Sequence, residues 1–171
     1  MSIQGDPLSL ELASRLLRRL GERSLTASTA ESITGGLVAA SITSVPGSSE
    51  SFLGGVVAYA TEAKASVLGV DRALLEEHGP VSEAVAGAMA QSVRQLFGSN
   101  LGVATTGVAG PEPVGDTPPG TLYVAACVDG SPPVVRLLES MGGRLTLRQT
   151  CVTDALRLAL DVLGEQSPNG E

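Results

Sequence analysis

Three short strand-like stretches each run into a small polar or glycine-rich junction and then into a helical pattern, which restricts the fold more than any other feature. Residues 25–30 lead into Ser32-Ile33-Thr34-Gly35-Gly36, and an apolar helical pattern resumes over 37–42. Residues 54–59 read as a buried strand leading into Thr61-Glu62-Ala63-Lys64, which opens a short helix ending at Gly69. Residues 101–105 lead into Thr106-Gly107-Val108-Ala109-Gly110-Pro111. Strands alternating with helices in this way build a largely parallel sheet covered on its faces. Residues 121–128 and 133–139 then form a hairpin across Asp129-Gly130-Ser131-Pro132. The expectation is an α/β fold: a layered α/β/α single domain spanning 1–171, with a mixed, partly parallel sheet and flexible ends at 1–6 and 165–171.

The helices carry recognisable start signals and apolar faces. Asp6-Pro7 reads as an N-cap and first-turn proline. Ala13, Leu16, Leu17 and Leu20 follow at helical spacing, with Arg15, Arg18 and Arg19 on the remaining face of a helix over 7–22. A short helix over 71–77 is closed by His78-Gly79-Pro80. Ser82-Glu83 caps another, whose buried side is read as Val85, Met89, Val93 and Leu96. The last helix, 144–164, places Leu147, Cys151, Ala155, Leu158 and Leu160 at apolar positions. Residues 112–120 form a loop by composition.

Composition excludes several function classes. Lys+Arg is 11 against Asp+Glu 18, a net charge of −7, where a duplex-binding surface needs a basic excess. Aromatics are 2% and tryptophan is absent, which removes the stacking platforms of a single-strand binder. Cys127 and Cys151 make no disulfide framework, no apolar run reaches the roughly 18 residues of a membrane span, and the opening MSIQGDP lacks a signal peptide's pattern. A soluble cytoplasmic protein is expected, without nucleic-acid or membrane partners.

The rare residues narrow the chemistry. His78 is the one histidine and Lys64 the one lysine. A zinc site of imidazole and thiolate ligands is disfavoured, and neither a metal nor a cofactor is expected. A Ser-His-Asp triad could use only His78, whose turn context reads as structural, and a lysine base can only be Lys64.

With parallel strands, the three junctions share one sheet edge, where open α/β sheets bind ligands. A glycine-rich turn entering a helix suits a phosphate or the oxyanion of acyl transfer. Ser32 reads either as an N-cap or as a nucleophile beside Gly35 and Gly36. Lys64 is either a solvated helix residue or the base, depressed towards neutrality by burial. Tyr59 is a rim aromatic or a proton relay between Ser32 and Lys64. Glu31 either orients donors or binds a ribose hydroxyl, or is a helix-start carboxylate favoured by the dipole. Arg144 and Arg148 open the last helix as an anion-recognising pair or as a solvent-facing one. Gly35-Gly36 is not a Walker motif and no G-x-G-x-x-G follows a strand, so nucleotide-triphosphate chemistry is unsupported.

The stretches TAESITGGLVAASITSVPGSSESFLGGVVAYATEAKASVLGV, EEHGPVSEAVAGAMA and TTGVAGP, in that order, resemble the CinA C-terminal domain family over roughly 8–162, in its stand-alone form. The resemblance implies metal-independent hydrolysis of the carboxamide of nicotinamide mononucleotide (NMN) to nicotinic acid mononucleotide and ammonia. It implies that Ser32 is the nucleophile, with Tyr59 and Lys64 beside it. It also implies that Gly35-Gly36, Ser48 and Thr106-Gly107 contact substrate, and Glu31, Thr34 and Arg144 are expected in the same binding set. A homo-oligomer is expected.

The chain departs from the family pattern at four places. Ile33 stands where cysteine is common and Thr61 where asparagine is common. Residues 112–121 lack the usual Gly-Gly and lysine, and Gly142-Gly143-Arg144 lacks an aspartate. These changes bear on affinity and specificity. Two rival readings are a non-catalytic pyridine-nucleotide or phosphate-binding regulatory module and an amidase for another small amide.

Overall fold

Asp6 starts the first helix as the sequence implies: its carboxylate accepts from the Ser9 N–H, and Pro7 occupies the first helical position. The computed structural model describes residues 6–164. The order is α1 (Pro7–Glu22), β1 (Ala27–Glu31), α2 (Leu37–Thr43), a 3-10 turn at Ser48–Glu50, β2 (Phe52–Val57), α3 (Thr61–Ser66), α4 (Arg72–His78), α5 (Glu83–Phe97), β3 (Leu101–Gly107), β4 (Thr121–Val128), β5 (Val134–Glu139) and α6 (Arg144–Val162). One five-stranded sheet runs β2-β1-β3-β4-β5. β1 is parallel to both β2 and β3, and β3-β4 and β4-β5 are antiparallel. This is the expected mixed α/β sheet with helices on both faces.

Each sheet face buries its own core. Leu12, Leu16 and Leu20 of α1, Val38 and Ile42 of α2, and Leu147, Cys151, Leu156 and Leu158 of α6 pack with Val103, Leu122 and Val124 of the sheet. On the other face Val85, Ala86, Met89, Ala90 and Val93 of α5 pack with Ala30, Ala104, Ala125 and Cys127. That second layer is made of small residues, so α5 lies close against the strands. At Gly102 an added Cβ would stand 2.1 Å from the Ala90 carbonyl oxygen, so only glycine permits the approach.

β1 is buried along its whole length although its sequence is Ala-Ser-Thr-Ala-Glu. A central strand tolerates such residues when their polar atoms are bonded, as those of Ser28 and Glu31 are, whereas Thr29 Oγ1 is buried without a partner among the described residues. Ser28 Oγ lies 2.7 Å from Ser99 Oγ and 3.2 Å from the Val93 carbonyl. Register sets Glu31 beside Val57 of β2 and Thr105 of β3, so β1 and β2 end level and β3 runs on to Gly107 at the same edge. The three junctions therefore converge.

Some local expectations fail. β2 is an edge strand, and its alternate residues Leu53 and Val57 are exposed, so the sheet face they share is left uncovered there. The buried-strand reading of 54–59 missed this, since an apolar run looks the same at an edge as at the centre. Leu96 is 54% exposed, so the buried face of α5 comprises Val85, Met89 and Val93 without it. Asp6 is fixed as a helix cap, while the expectation of flexibility at 1–5 and 165–171 lies outside the described residues. No helix among the described residues is long and apolar enough to cross a membrane.

Candidate active site

The turn from β1 to α2 carries Ser32, whose N–H donates to the Thr105 carbonyl at 2.9 Å. That bond ties the turn to the neighbouring strand end. Gly35 and Gly36 adopt φ of +59° and +97°, the left-handed region where a side chain would be strained. The turn thereby reverses fast enough for Ser32 to stay at the strand end while α2 begins behind it.

Glu31 occupies the start of α2 from within. Its Oε2 accepts from Thr34 Oγ1 at 2.6 Å and from the N–H groups of Gly36 and Val38 at 3.0 Å. Its Oε1 accepts from the Ala39 N–H at 2.8 Å. A buried carboxylate holding the open amides of a helix start is the favoured charge for that end of the dipole. Of the alternatives left open for Glu31, the geometry matches the helix-start carboxylate: four internal donors already bond it. Thr34 is fully buried, its hydroxyl between Glu31 and Thr105 Oγ1 at 2.7 Å. The Gly35 N–H donates to the Ser32 carbonyl at 3.1 Å and the Gly36 N–H to Glu31. The phosphate or oxyanion cradle expected at Gly35-Gly36 is therefore already filled by the protein's own acceptors.

Lys64 reaches the same point from α3. Its Nζ donates to Ser32 Oγ at 3.0 Å and to the Ala58 carbonyl at 3.3 Å. The residue is 2% exposed, and among the described residues no carboxylate pairs with it. Burial alone lowers its pKa from 10.5 to about 8, because the charged form loses hydration without gaining a counter-ion. The contact is direct, so the relay through Tyr59 is not needed. The Tyr59 hydroxyl instead accepts from Arg144 Nη2 at 2.7 Å, and the residue is 61% exposed.

Ser32 and Lys64 lie in a cleft of about 230 Å³. Tyr59, Gly107, Gly110, Glu112 and Arg144 line it as well. Arg144 also donates to the Gly110 carbonyl at 3.1 Å, joining α6 to the segment after β3. Arg148, one helical turn further on, donates to the carbonyls of Ile33 and Thr34 at 3.0 and 2.8 Å. It clamps the turn that carries Ser32 and is not among the cleft residues. The i, i+4 spacing of the two arginines was the legible signal that both serve one face.

The remaining expected contacts divide. Gly107 lines the cleft, whereas Thr106 is buried and its hydroxyl donates to the Pro80 carbonyl at 2.8 Å, bracing the turn after α4. Ser48 lies in the turn before β2, where the Ser51 carbonyl accepts from the Ala27 N–H. That is the opposite end of the parallel strands, roughly 15 Å away along β1 at about 3.3 Å per residue. Within one chain Ser48 does not reach Ser32. His78 is exposed beside Glu77, outside the cleft. Sequence reading missed Glu112, Val114 and Pro80 as lining residues, because a loop's path over a site is not encoded in its composition. Among the described residues no group of three or more His, Cys, Asp or Glu could hold a metal ion.

Comparison with known proteins agrees with this architecture. A family model for the CinA C-terminal domain matches residues 9–163. A CinA-like protein of Frankia casuarinae is 49% identical over 157 residues, 91% of this chain and 36% of the relative. One from Gemmatimonas aurantiaca is 45% identical over 90% of this chain and 35% of its own length. The chain thus spans about a third of the curated relatives it matches. Among solved structures, the competence/damage inducible protein CihA from Agrobacterium tumefaciens superposes with a TM-score of 0.88 at 33% identity, covering 95% of this chain and 99% of that one. A CinA superfamily protein from Klebsiella pneumoniae gives 0.87 at 31% identity, covering 92% and 99%. The motif order, the sheet and these matches together show that the chain belongs to the CinA C-terminal domain family.

Proposed function

We propose that the protein is an amidohydrolase of the pyridine-nucleotide class, converting NMN to nicotinic acid mononucleotide and ammonia without a metal. The observation that carries the reading is the 3.0 Å contact between the family's serine, Ser32, and a buried lysine with no carboxylate partner among the described residues. A serine hydroxyl needs a base within hydrogen-bond reach, and a lysine becomes one when burial brings its pKa towards the working pH.

Neutral Lys64 takes the Ser32 proton as Oγ attacks the carboxamide carbon. The tetrahedral oxyanion forms in a cleft where Arg144 is the permanently charged donor. The Lys64 ammonium returns its proton to the departing nitrogen, and ammonia leaves an acyl-enzyme on Ser32. Lys64 then takes a proton from water, whose oxygen attacks the acyl carbon, and Ser32 leaves reprotonated with the free acid. Arg148 and Glu31 do not touch substrate here. They hold the turn that aims Oγ.

The test is ammonia and acid formation from NMN by the wild type and Ser32→Ala, with chelator present. Product from the wild type alone supports the reading. Binding of NMN without product from either protein would replace it with a non-catalytic regulatory module.

A further inference from the structure

Ser32, Ile33, Thr34 and Gly35 form a tight turn, closed by the Gly35 N–H donating to the Ser32 carbonyl at 3.1 Å. The amides of its two central residues, Ile33 and Thr34, have no acceptor among the described residues. Thr34 is fully buried, whereas Ile33 lines the cleft beside Ser32. We propose that the Ile33 N–H is the oxyanion donor of this cleft and that Arg148 is the positioning residue that keeps the neighbouring carbonyls away from it. The proposal rests on the amidase reading above and names the group that meets the developing charge.

Three observations support it. A serine that opens a turn commonly takes the amide two residues on with its own hydroxyl. Ser32 does not, because its Oγ accepts from Lys64 Nζ at 3.0 Å. The hydroxyl is thus held for proton transfer, and the central amides keep their donor capacity. The Ser32–Ile33 peptide is trans, so its N–H points opposite to the Ser32 carbonyl, which Gly35 holds inside the turn. The direction of that N–H is therefore fixed before substrate arrives, as an oxyanion donor requires. An amide one residue after a serine nucleophile on a sharp strand-to-helix turn lies within reach of the oxygen of an acyl group on Oγ. Arg148 Nε and Nη2 draw the Ile33 and Thr34 carbonyls to a cation outside the cleft, at 3.0 and 2.8 Å, where they do not oppose a developing negative charge. The other nearby donors are committed. Glu31 takes the amides of Gly36, Val38 and Ala39, and Arg144 already donates to Gly110 and Tyr59.

The experiment replaces Ile33 by its α-hydroxy acid through stop-codon suppression, so that an ester oxygen stands where the N–H was and the side chain is kept. With NMN, kcat is expected to fall about a hundredfold while KM changes less than about threefold, the signature of one lost oxyanion donor. Tm should fall by no more than about 4 °C, because the N–H removed bonds nothing and only the acceptor strength of the Ser32 carbonyl is reduced. Arg148→Met should lower kcat about tenfold at similar KM, with part of the rate restored in Arg148→Lys and the pH midpoint set by Lys64 unmoved in both. Labelling of Ser32 by a fluorophosphonate, followed by mass spectrometry, makes the same comparison without an amide substrate, since its phosphoryl oxygen needs the same donor. An ester variant that keeps the wild-type kcat and labelling rate overturns the proposal and leaves the oxyanion to Arg144. A wild-type Ser32 that the fluorophosphonate does not label overturns it as well. A wild type that is labelled but makes no acid from NMN overturns the amidase reading instead, and slower labelling of the ester variant still assigns the amide.

Discussion

Lys64 Nζ lies 3.0 Å from Ser32 Oγ although the two residues are 32 positions apart and sit on different elements. The contact exists because β1 and β2 are parallel neighbours that end level, so the turn after one faces the helix after the other. Among the described residues no carboxylate offsets the buried ammonium, so its burial costs the fold stability while Lys64 is charged.

The first consequence is a pH profile. With a pKa of about 8, Lys64 is mostly protonated below that value and neutral above it. The amidase kcat/KM is expected to rise about tenfold per pH unit below 8 and to level off above, as one essential base requires. Lys64→Arg keeps a cation that does not deprotonate in this range, and should lose at least about a hundredfold in rate at every pH. Full activity in Lys64→Arg would recast the residue as an anion contact.

Stability should rise with pH too, over the window above the native pKa. The native pKa of Lys64 is lowered below the ordinary 10.5, so the unfolded chain binds more protons between about 8 and 10.5. The penalty is fully present below about 8 and relieved as pH rises towards 10.5. Gross, it is roughly 3 kcal/mol, offset in Lys64→Met by about 1 kcal/mol for each hydrogen bond lost to Ser32 and Ala58. Lys64→Met should therefore be inactive yet more stable at pH 7 by about 1 kcal/mol, a Tm rise of about 2–4 °C. Thermal unfolding at pH 7 and pH 10 checks this, since the advantage must vanish or reverse at the higher pH.

Glu31→Gln tests the helix-start role against a substrate contact. Glutamine keeps one acceptor oxygen and turns an amide towards groups that donate. The loss should be about 2 kcal/mol, lowering Tm by about 4–8 °C. A looser Ser32 turn lowers kcat while KM stays nearly constant. A raised KM with an unchanged Tm would mean that the carboxylate meets ligand after all.

Tyr59→Phe separates relay from positioning. The hydroxyl bonds Arg144, and Lys64 reaches Ser32 without it. Loss of one such bond should raise KM about fivefold and change kcat less than about threefold. A collapse of kcat with KM intact would restore the relay.

Much of this was readable in the chain before folding was considered. Helical spacing marked α1, α5 and α6, and strand-turn-helix junctions announced a parallel sheet with its site on one edge. The presence of a single lysine singled out Lys64 by elimination. These are local or countable properties, because side-chain periodicity and residue rarity need no knowledge of distant partners. Tertiary structure alone decided that Lys64 touches Ser32 directly, that Glu31 rather than a ligand fills the start of α2, and that Ser48 lies at the far end of the strands. It also decided that Arg148 holds the turn carrying Ser32 and that Glu112 lines the cleft. Each of those depends on which segments the sheet order and the last helix bring together. A carboxylate or an arginine has the same sequence whether its partner is a backbone amide, a carbonyl or a substrate, and only the folded chain chooses among them.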